Sequence, residues 1–360
     1  MRVLLATDAW EPQVNGVVRT LSRTLHEMRA MGHEVEVVSP DQFKTLPLPS
    51  YPEIRLATNA WEPMQERFKR FEPEAIHIAT EGPIGLAARR LCLEWGLPFT
   101  TSYHTRFPEY LSARLPVPPA AGYAYMRWFH KPSGRVMVAT PTMRDELERR
   151  GFHNLSPWTR GVDTELFHPR RPDEPDLFAD LPRPVFLNVG RVAVEKNIEA
   201  FLALDLPGSK VVVGDGPQRE ELEARYPAAR FAGARFGEDL AAHFACADVF
   251  VFPSLTDTFG LVILEAMATG APVAAFPAPG PVDLLPGSEA GVCDDDLRAA
   301  CLACLELDRA HVRRFAERFS WRASAEQFVH NLQPHPEREK RRFWKRLRRL
   351  ARLRRRSRAA

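Results

Sequence analysis

The sequence predicts an α/β protein of two doubly wound domains, each a parallel sheet with helices on its faces. Three observations carry that prediction. Short β-branched runs alternate with helical patterns through the first half, as in successive βαβ units. A second alternating series starts after Arg160-Gly161-Val162-Asp163, and the stretch from Arg160 to about Pro184, rich in proline and charge, reads as a linker. At 360 residues the chain is long enough for two separate cores.

The elements follow in order. Arg2–Ala6 reads as a strand, and Gly16–Met31 as a helix closed by Gly32. Glu34–Val38 is the next strand. The region holding Pro47, Pro49, Pro52 and Pro63 shows no usable period and reads as loop. Ala75–Ala79, Pro98–Ser102 and Val136–Ala139 are further strands, with helices near Pro83–Trp95 and Thr142–Arg150. In the second series the strands are Val185–Val189, Lys210–Val213, Val249–Phe252 and Val273–Phe276. A helix over roughly Phe259–Ala268 precedes the last of these, and Trp321 opens another, WRASAEQFVHNL, that stops before Pro334. These readings divide the chain into a first domain over 1–165, a second over 166–318, a terminal helical segment over 319–336 and a basic tail over 337–360. No internal repeat is evident beyond the βα rhythm.

Composition excludes several classes. A hydrophobic content of 45% and a charged content of 26% fit a globular protein. No apolar stretch approaches the roughly 20 residues that span a bilayer. The opening MRVLLATDAW carries one positive charge and a short apolar run, a first strand rather than a signal peptide, so the expected location is the cytoplasm. Five cysteines, an odd number, do not suggest a disulfide framework. Cys301 and Cys304 fall on the inner face of an amphipathic helix, and Asp294-Asp295-Asp296 before it reads as a cap, so no metal site is expected.

The most informative stretch is Ser254 to Val273, SLTDTFGLVILEAMATGAPV. Its helix is apolar on every side, which marks it as buried. Yet Glu265 sits in its middle, and Asp257 stands at its entrance. A carboxylate in apolar surroundings must find a hydrogen-bonding partner or lose its charge. The turn Asp257-Thr258-Phe259-Gly260 leaves free N–H groups at the helix start, where an anion is favoured. A phosphate at that start, with a ribose or sugar along the side, would satisfy these groups together. Two plainer readings stand beside this one: Asp257 or Thr258 could be an ordinary N-cap, and Glu265 could pair with an internal Arg or Lys.

Strand Val185–Val189 runs into Gly190-Arg191-Val192-Ala193-Val194-Glu195-Lys196-Asn197, where a glycine followed by two cations suits a diphosphate. Arg191 can grip phosphate oxygens with two parallel bonds, and Lys196 is a compact point charge. A surface loop whose cations meet Glu195 is the alternative. Gly214-Asp215-Gly216-Pro217 lacks the third glycine of a dinucleotide fingerprint and reads as a turn beside the nucleotide base. In the first domain Gly16 opens a helix, His104 follows a strand within Tyr103-His104-Thr105-Arg106-Phe107, and Glu81 follows another. Each has an ordinary structural reading: a βα turn, a core histidine, a charge at a helix N-terminus.

Taken together these motifs resemble glycosyltransferase family 4. The resemblance lies in Asp257 and Glu265 flanking seven residues, in the run Glu265-Ala266-Met267-Ala268-Thr269-Gly270-Ala271-Pro272-Val273, and in the loop from Gly190 to Asn197. Asp257 stands where the family usually has Glu, one methylene longer. The resemblance covers roughly residues 1–330. It implies a GT-B fold, two Rossmann-like domains facing a central cleft, with the terminal helix crossing back onto the first. It further implies transfer of a hexosyl group from a nucleotide-diphosphate sugar with retention of configuration, without a metal ion or bound cofactor.

In that scheme Gly16, Arg191, Lys196, Phe259, Gly260 and Leu261 bind the donor diphosphate. Glu265 holds the ribose, Asp257 orients the donor sugar and His104 contacts it from the other domain. Glu81 is a candidate for acceptor hydroxyls.

The acceptor is suggested by the tail. From Glu337 onward there are 13 Lys/Arg against 2 Glu, so the net charge of +3 conceals a body at −8. As a helix, the tail would set Phe343, Leu347 and Leu350 in a narrow apolar stripe within a cationic sheath, fit for an anionic membrane surface. A solvated tail is the alternative, and the aromatics are too few for a nucleic-acid platform. TDAWEPQVNGVVRT and HIATEGPIG resemble the branch of the family whose sulfoquinovosyl- and mannosyl-transferases act on diacylglycerol lipids. A lipid or glycolipid acceptor at the inner membrane face, with GDP-mannose or a UDP-hexose as donor, is therefore expected. A soluble sugar acceptor, or a non-catalytic nucleotide-sugar-binding protein, are the other readings.

Overall fold

The computed structural model describes residues 1–13, 15–48, 51–112 and 117–335. The tail over 337–360 and its proposed amphipathic helix lie outside them. The first sheet contains β1 (Arg2–Ala6), β2 (Glu34–Val38), β5 (Ala75–Ile78), β6 (Thr100–Ser102), β7 (Arg135–Val138) and β8 (Leu155–Pro157), all parallel, in the order β2-β1-β5-β6-β7-β8. Between β2 and β5 lies a separate antiparallel hairpin of β3 (Thr45–Leu48) and β4 (Tyr51–Ala57). The proline-rich region read as loop therefore holds this hairpin and a helix, Trp61–Phe71. Pro63 falls in that helix's first turn, where its missing N–H costs nothing.

The alternation along β1 shows why the sheet is buried on both faces. Leu4 and Ala6 pack with Ile76, Ile78 and the helices Trp61–Phe71 and Pro83–Trp95. Val3 and Leu5 point the other way, onto Leu21, Leu25 and Met28 of the Gly16–Ala30 helix. Trp158 and Phe328 complete that second cluster. Phe328 belongs to the final helix, Trp321–Asn331, which thus lies on the first domain. Gly161 permits the crossing: a Cβ there would stand 2.3 Å from the Trp321 nitrogen.

The second sheet contains β9 (Val185–Val189), β10 (Ser209–Val213), β11 (Arg230–Gly233), β12 (Val249–Phe252), β13 (Val273–Ala275) and β14 (Gly291–Cys293), in the order β11-β10-β9-β12-β13-β14. Its core combines Phe186, Val212 and Val251 on one face with Leu187, Val211 and Phe250 on the other. Cys301 and Cys304 are buried in this core, and Asp296 caps their helix by accepting from the Ala299 N–H. Chain order reverses between β1 and β5 in the first sheet and between β9 and β12 in the second. Crevices for ligands form at the carboxyl ends of strands at such points. No helix among the described residues is long and apolar enough to cross a membrane.

Candidate active site

Because β9 and β12 are neighbours, the loops leaving their carboxyl ends meet. Ser254 and Thr256 both donate to the Glu195 carbonyl, at 3.3 and 3.1 Å. The Asn197 amide donates to the Pro253 carbonyl. Lys196 donates to both oxygens of Asp257, at 2.7 and 2.9 Å. A cation read as a phosphate ligand and a carboxylate read as a sugar ligand thus come from separate motifs into one ion pair. Arg191 is exposed at the end of β9.

The turn over Gly214–Pro217 braces this loop from behind. A Cβ on Gly214 would lie 1.8 Å from the Gly190 carbonyl oxygen, and one on Gly216 would lie 2.4 Å from that of Val192. Val192 and Asp215 are joined by a backbone hydrogen bond. The two glycines therefore set the height of the Gly190–Val192 backbone.

The helix carrying Glu265 begins at Leu261, two residues later than the sequence reading, because Gly260 takes a left-handed φ of 82°. No side chain caps it. The N-cap reading of Asp257 or Thr258 thus fails: Asp257 binds Lys196, and Thr258 donates to the His104 carbonyl of the first domain at 2.8 Å. The N–H groups at this helix start remain the positive end of its dipole.

Glu265 is 5% exposed. Its Oε1 pairs with the Arg19 guanidinium, and its Oε2 has no hydrogen-bond partner. The plainer reading, an internal cation, is thus realised in part. That cation comes from the facing domain, however, and its side chain is 40% exposed. Burial raises the Glu265 pKa and outweighs Arg19, which acts to lower it. Gly16 lies in the first turn of Arg19's helix, where a Cβ would sit 3.8 Å from the Leu261 side chain. Asn15 caps that helix by accepting from Val17 and Val18. Two helix N-termini therefore converge, one from each domain.

His104 is held from both sides. Its Nε2 meets Ser102 Oγ at 2.8 Å, and that hydroxyl meets His77 Nε2 at 3.1 Å. Its Nδ1 faces the Arg160 guanidinium at 3.5 Å. Since Arg160 can only donate, Nδ1 is the acceptor and Nε2 carries the proton. Burial, followed by Arg160, pushes the His104 pKa well below its usual 6.5. Arg160 itself, buried against Trp158 with carbonyl acceptors and no carboxylate, is pulled down to about 9 by desolvation. The sequence reading missed Arg160 and Arg19; the first fell at the start of the linker, and the second lay within the Gly16–Met31 helix without being singled out. Glu81 Oε1 meets His130 Nε2 at 3.2 Å, so an internal partner already occupies it.

Further contacts hold the domains together. Thr142 N–H donates to Asp283 at 2.9 Å, and Arg23 pairs with Asp163 at 2.8 Å in the connection between domains. Among the described residues no group of three or more His, Cys, Asp or Glu side chains could hold a metal ion.

Residues 14–166 match the Glycosyltransferase Family 4 model, and 183–307 match Glycosyl transferases group 1. A GDP-mannose-dependent alpha-mannosyltransferase of Mycobacterium tuberculosis is 30% identical, covering 81% of this chain and 83% of its own. The chain belongs to glycosyltransferase family 4. Sulfoquinovosyl transferase SQD2 of Arabidopsis thaliana is also 30% identical, over 77% of this glycosyltransferase and 60% of its own length. An alpha-monoglucosyldiacylglycerol synthase of Streptococcus pneumoniae is 26% identical over 78% and 72%. Sucrose-phosphate synthase of Thermosynechococcus elongatus superposes with a TM-score of 0.73 at 21% identity, covering 91% of this chain and 97% of that one. The fold is GT-B, two parallel-sheet α/β domains.

Proposed function

We propose that this glycosyltransferase moves a hexosyl group from a nucleotide-diphosphate sugar to a membrane lipid such as diacylglycerol or a glycolipid, retaining anomeric configuration and using no metal. The observation that carries the proposal is the meeting of the Lys196–Asp257 pair, the helix start at Leu261, and His104 of the facing domain. A diphosphate placed there would draw Lys196 from Asp257 and meet Arg191 and the N–H groups of Phe259, Gly260 and Leu261. This is electrostatic stabilisation of a leaving group, a role that a fixed set of donors fills without reorganising. Freed Asp257 would accept from sugar hydroxyls, and Glu265 from the ribose. His104, neutral, has Nδ1 turned to Arg160 and Nε2 to Ser102, and would meet the sugar through its carbonyl oxygen, which keeps a lone pair beside the Thr258 hydroxyl.

Among the described residues the hydroxyl beside His104, that of Ser102, is fully buried against His77, so no nucleophile–base pair is assigned to the step. In the proposed step the bond from the anomeric carbon to the diphosphate breaks with its electrons passing to the phosphate oxygen. The acceptor oxygen attacks from the same face, and its proton passes to a diphosphate oxygen. Closure of the two domains would exclude water and limit donor hydrolysis. The acceptor is drawn from the tail's charge and stripe, and from the resemblance to a relative named for monoglucosyldiacylglycerol.

The test is to incubate the full chain with GDP-mannose and UDP-hexoses over vesicles containing diacylglycerol and anionic lipid. Mass spectrometry should find a hexosylated lipid, and NMR should find the anomeric configuration of the donor. Transfer only to soluble sugars would overturn the acceptor, and inversion would overturn the mechanism. Absence of any donor turnover would favour a binding protein.

A further inference from the structure

Two features of the site require a common explanation. Each carboxylate assigned to the donor is already paired with a cation, Asp257 with Lys196 and Glu265 with Arg19. Lys196 comes from the same domain as its partner, whereas Arg19 crosses from the first domain. Arg19 lies in the opening turns of the Gly16–Ala30 helix, beside the point where the two helix starts converge. Its side chain is 40% exposed, so it can move; Glu265 is fixed within a buried helix. Arg23, one turn on, is tied to Asp163 in the connection between domains, which anchors the helix that carries Arg19.

Resting on the function proposed above, we propose that Arg19 is a third diphosphate-binding cation. When the ribose hydroxyls reach Glu265 they replace its guanidinium, which then turns to the leaving phosphate. The charge balance calls for such a group. The diphosphate of an intact nucleotide sugar carries two negative charges, which Arg191 and Lys196 match. When the anomeric carbon–oxygen bond breaks, its electron pair goes to the β-phosphate oxygen, which becomes a terminal phosphate. The acceptor oxygen bonds to the anomeric carbon, and its proton passes through the phosphate to solvent, since a terminal phosphate loses that proton near pH 6. A third negative charge thus appears only as the reaction proceeds. A cation that meets it stabilises the transition state more than the ground state.

The experiment measures, at pH 7.5 by calorimetry, binding of UDP and GDP, their monophosphates, and the sugar-bearing donor, to wild type, Arg19→Ala and Arg19→Lys. Initial rates accompany these titrations. Arg19→Ala should weaken the diphosphate about tenfold while the monophosphate and intact donor change less than about threefold, and kcat should fall roughly ten- to a hundredfold. Arg19→Lys should recover part of both. A plug that merely occupies Glu265 makes the opposite demand, because its removal would tighten every nucleotide. Unchanged or tighter diphosphate binding by Arg19→Ala therefore overturns the proposal. Wild type that binds neither diphosphate would overturn the proposed function itself, and Arg19's role with it.

Discussion

Replacing Glu265 with Gln separates its proposed function from its place in the fold. The side chain keeps its shape but loses its charge. Hydrogen bonds to a charged group contribute about 1.5–3 kcal/mol each, and neutral ones about 0.5–1.5. Two ribose hydroxyls would therefore lose about 2–3 kcal/mol between them, or roughly 30- to 150-fold in kcat/KM. Glu265→Ala loses both bonds outright, about 3–6 kcal/mol, and kcat/KM should fall by at least about a hundredfold. Stability should move the other way. Burial raises the Glu265 pKa above its ordinary 4.5 in the folded protein, so the folded state holds that proton more tightly than the unfolded chain. Wild type therefore loses stability as pH rises above 4.5 through the raised folded value, and Glu265→Gln is spared that loss. At pH 7 the Gln variant should melt at or above wild type, and the advantage should vanish below pH 4.5. Transfer rates and melting curves over pH 4–8 check both halves. A Gln variant with normal kcat/KM, or one that melts well below wild type at pH 7, would show that Glu265 serves the Arg19 ion pair and not a nucleotide.

Other perturbations give distinct signatures. Gly214→Ala forces a Cβ onto the Gly190 carbonyl and a strained φ of 144°, so it should raise donor KM and destabilise the second domain by about 1–3 kcal/mol, read by denaturant melts. His77, buried with a pKa pushed down to about 3, and His104, also lowered, stay neutral while the unfolded chain protonates below pH 6.5. Stability should therefore fall with decreasing pH below 6.5, by about 1.4 kcal/mol per pH unit for each histidine. His77→Gln should roughly halve that slope. Deleting residues 337–360 should abolish sedimentation with anionic vesicles and lower transfer to lipid, leaving donor hydrolysis in solution unchanged; equal rates on vesicles would point to a soluble acceptor.

Legibility in the sequence followed the strength of local pattern. Strands buried on both faces, such as Arg2–Ala6 and Val185–Val189, declare themselves as continuous apolar runs. The outer strands Leu155–Pro157, Arg230–Gly233 and Gly291–Cys293 do not, because they are largely half-buried at the sheet edges and carry no continuous apolar run. The hairpin pairing Thr45 with Ala57 was hidden by Pro47, tolerated there because the pair stands apart from any larger sheet. The loop motifs were visible because glycine and charge at strand ends have few structural uses. Lys196 meeting Asp257 is a consequence of β9 lying beside β12, which strand order, not sequence, decides. Arg19 and Arg160 were not legible at all. Nothing in a helix pattern or a linker reveals which arginine will face a carboxylate 246 positions away or lie beneath a histidine.

A co-crystal structure with UDP or GDP tests the central claim most directly. The account predicts the β-phosphate within about 3 Å of Lys196 Nζ, the Arg191 guanidinium and the Leu261 N–H, with both ribose hydroxyls on Glu265. A nucleotide bound away from the β9 and β12 ends, or one that leaves Lys196 on Asp257 and Arg19 on Glu265, would contradict it.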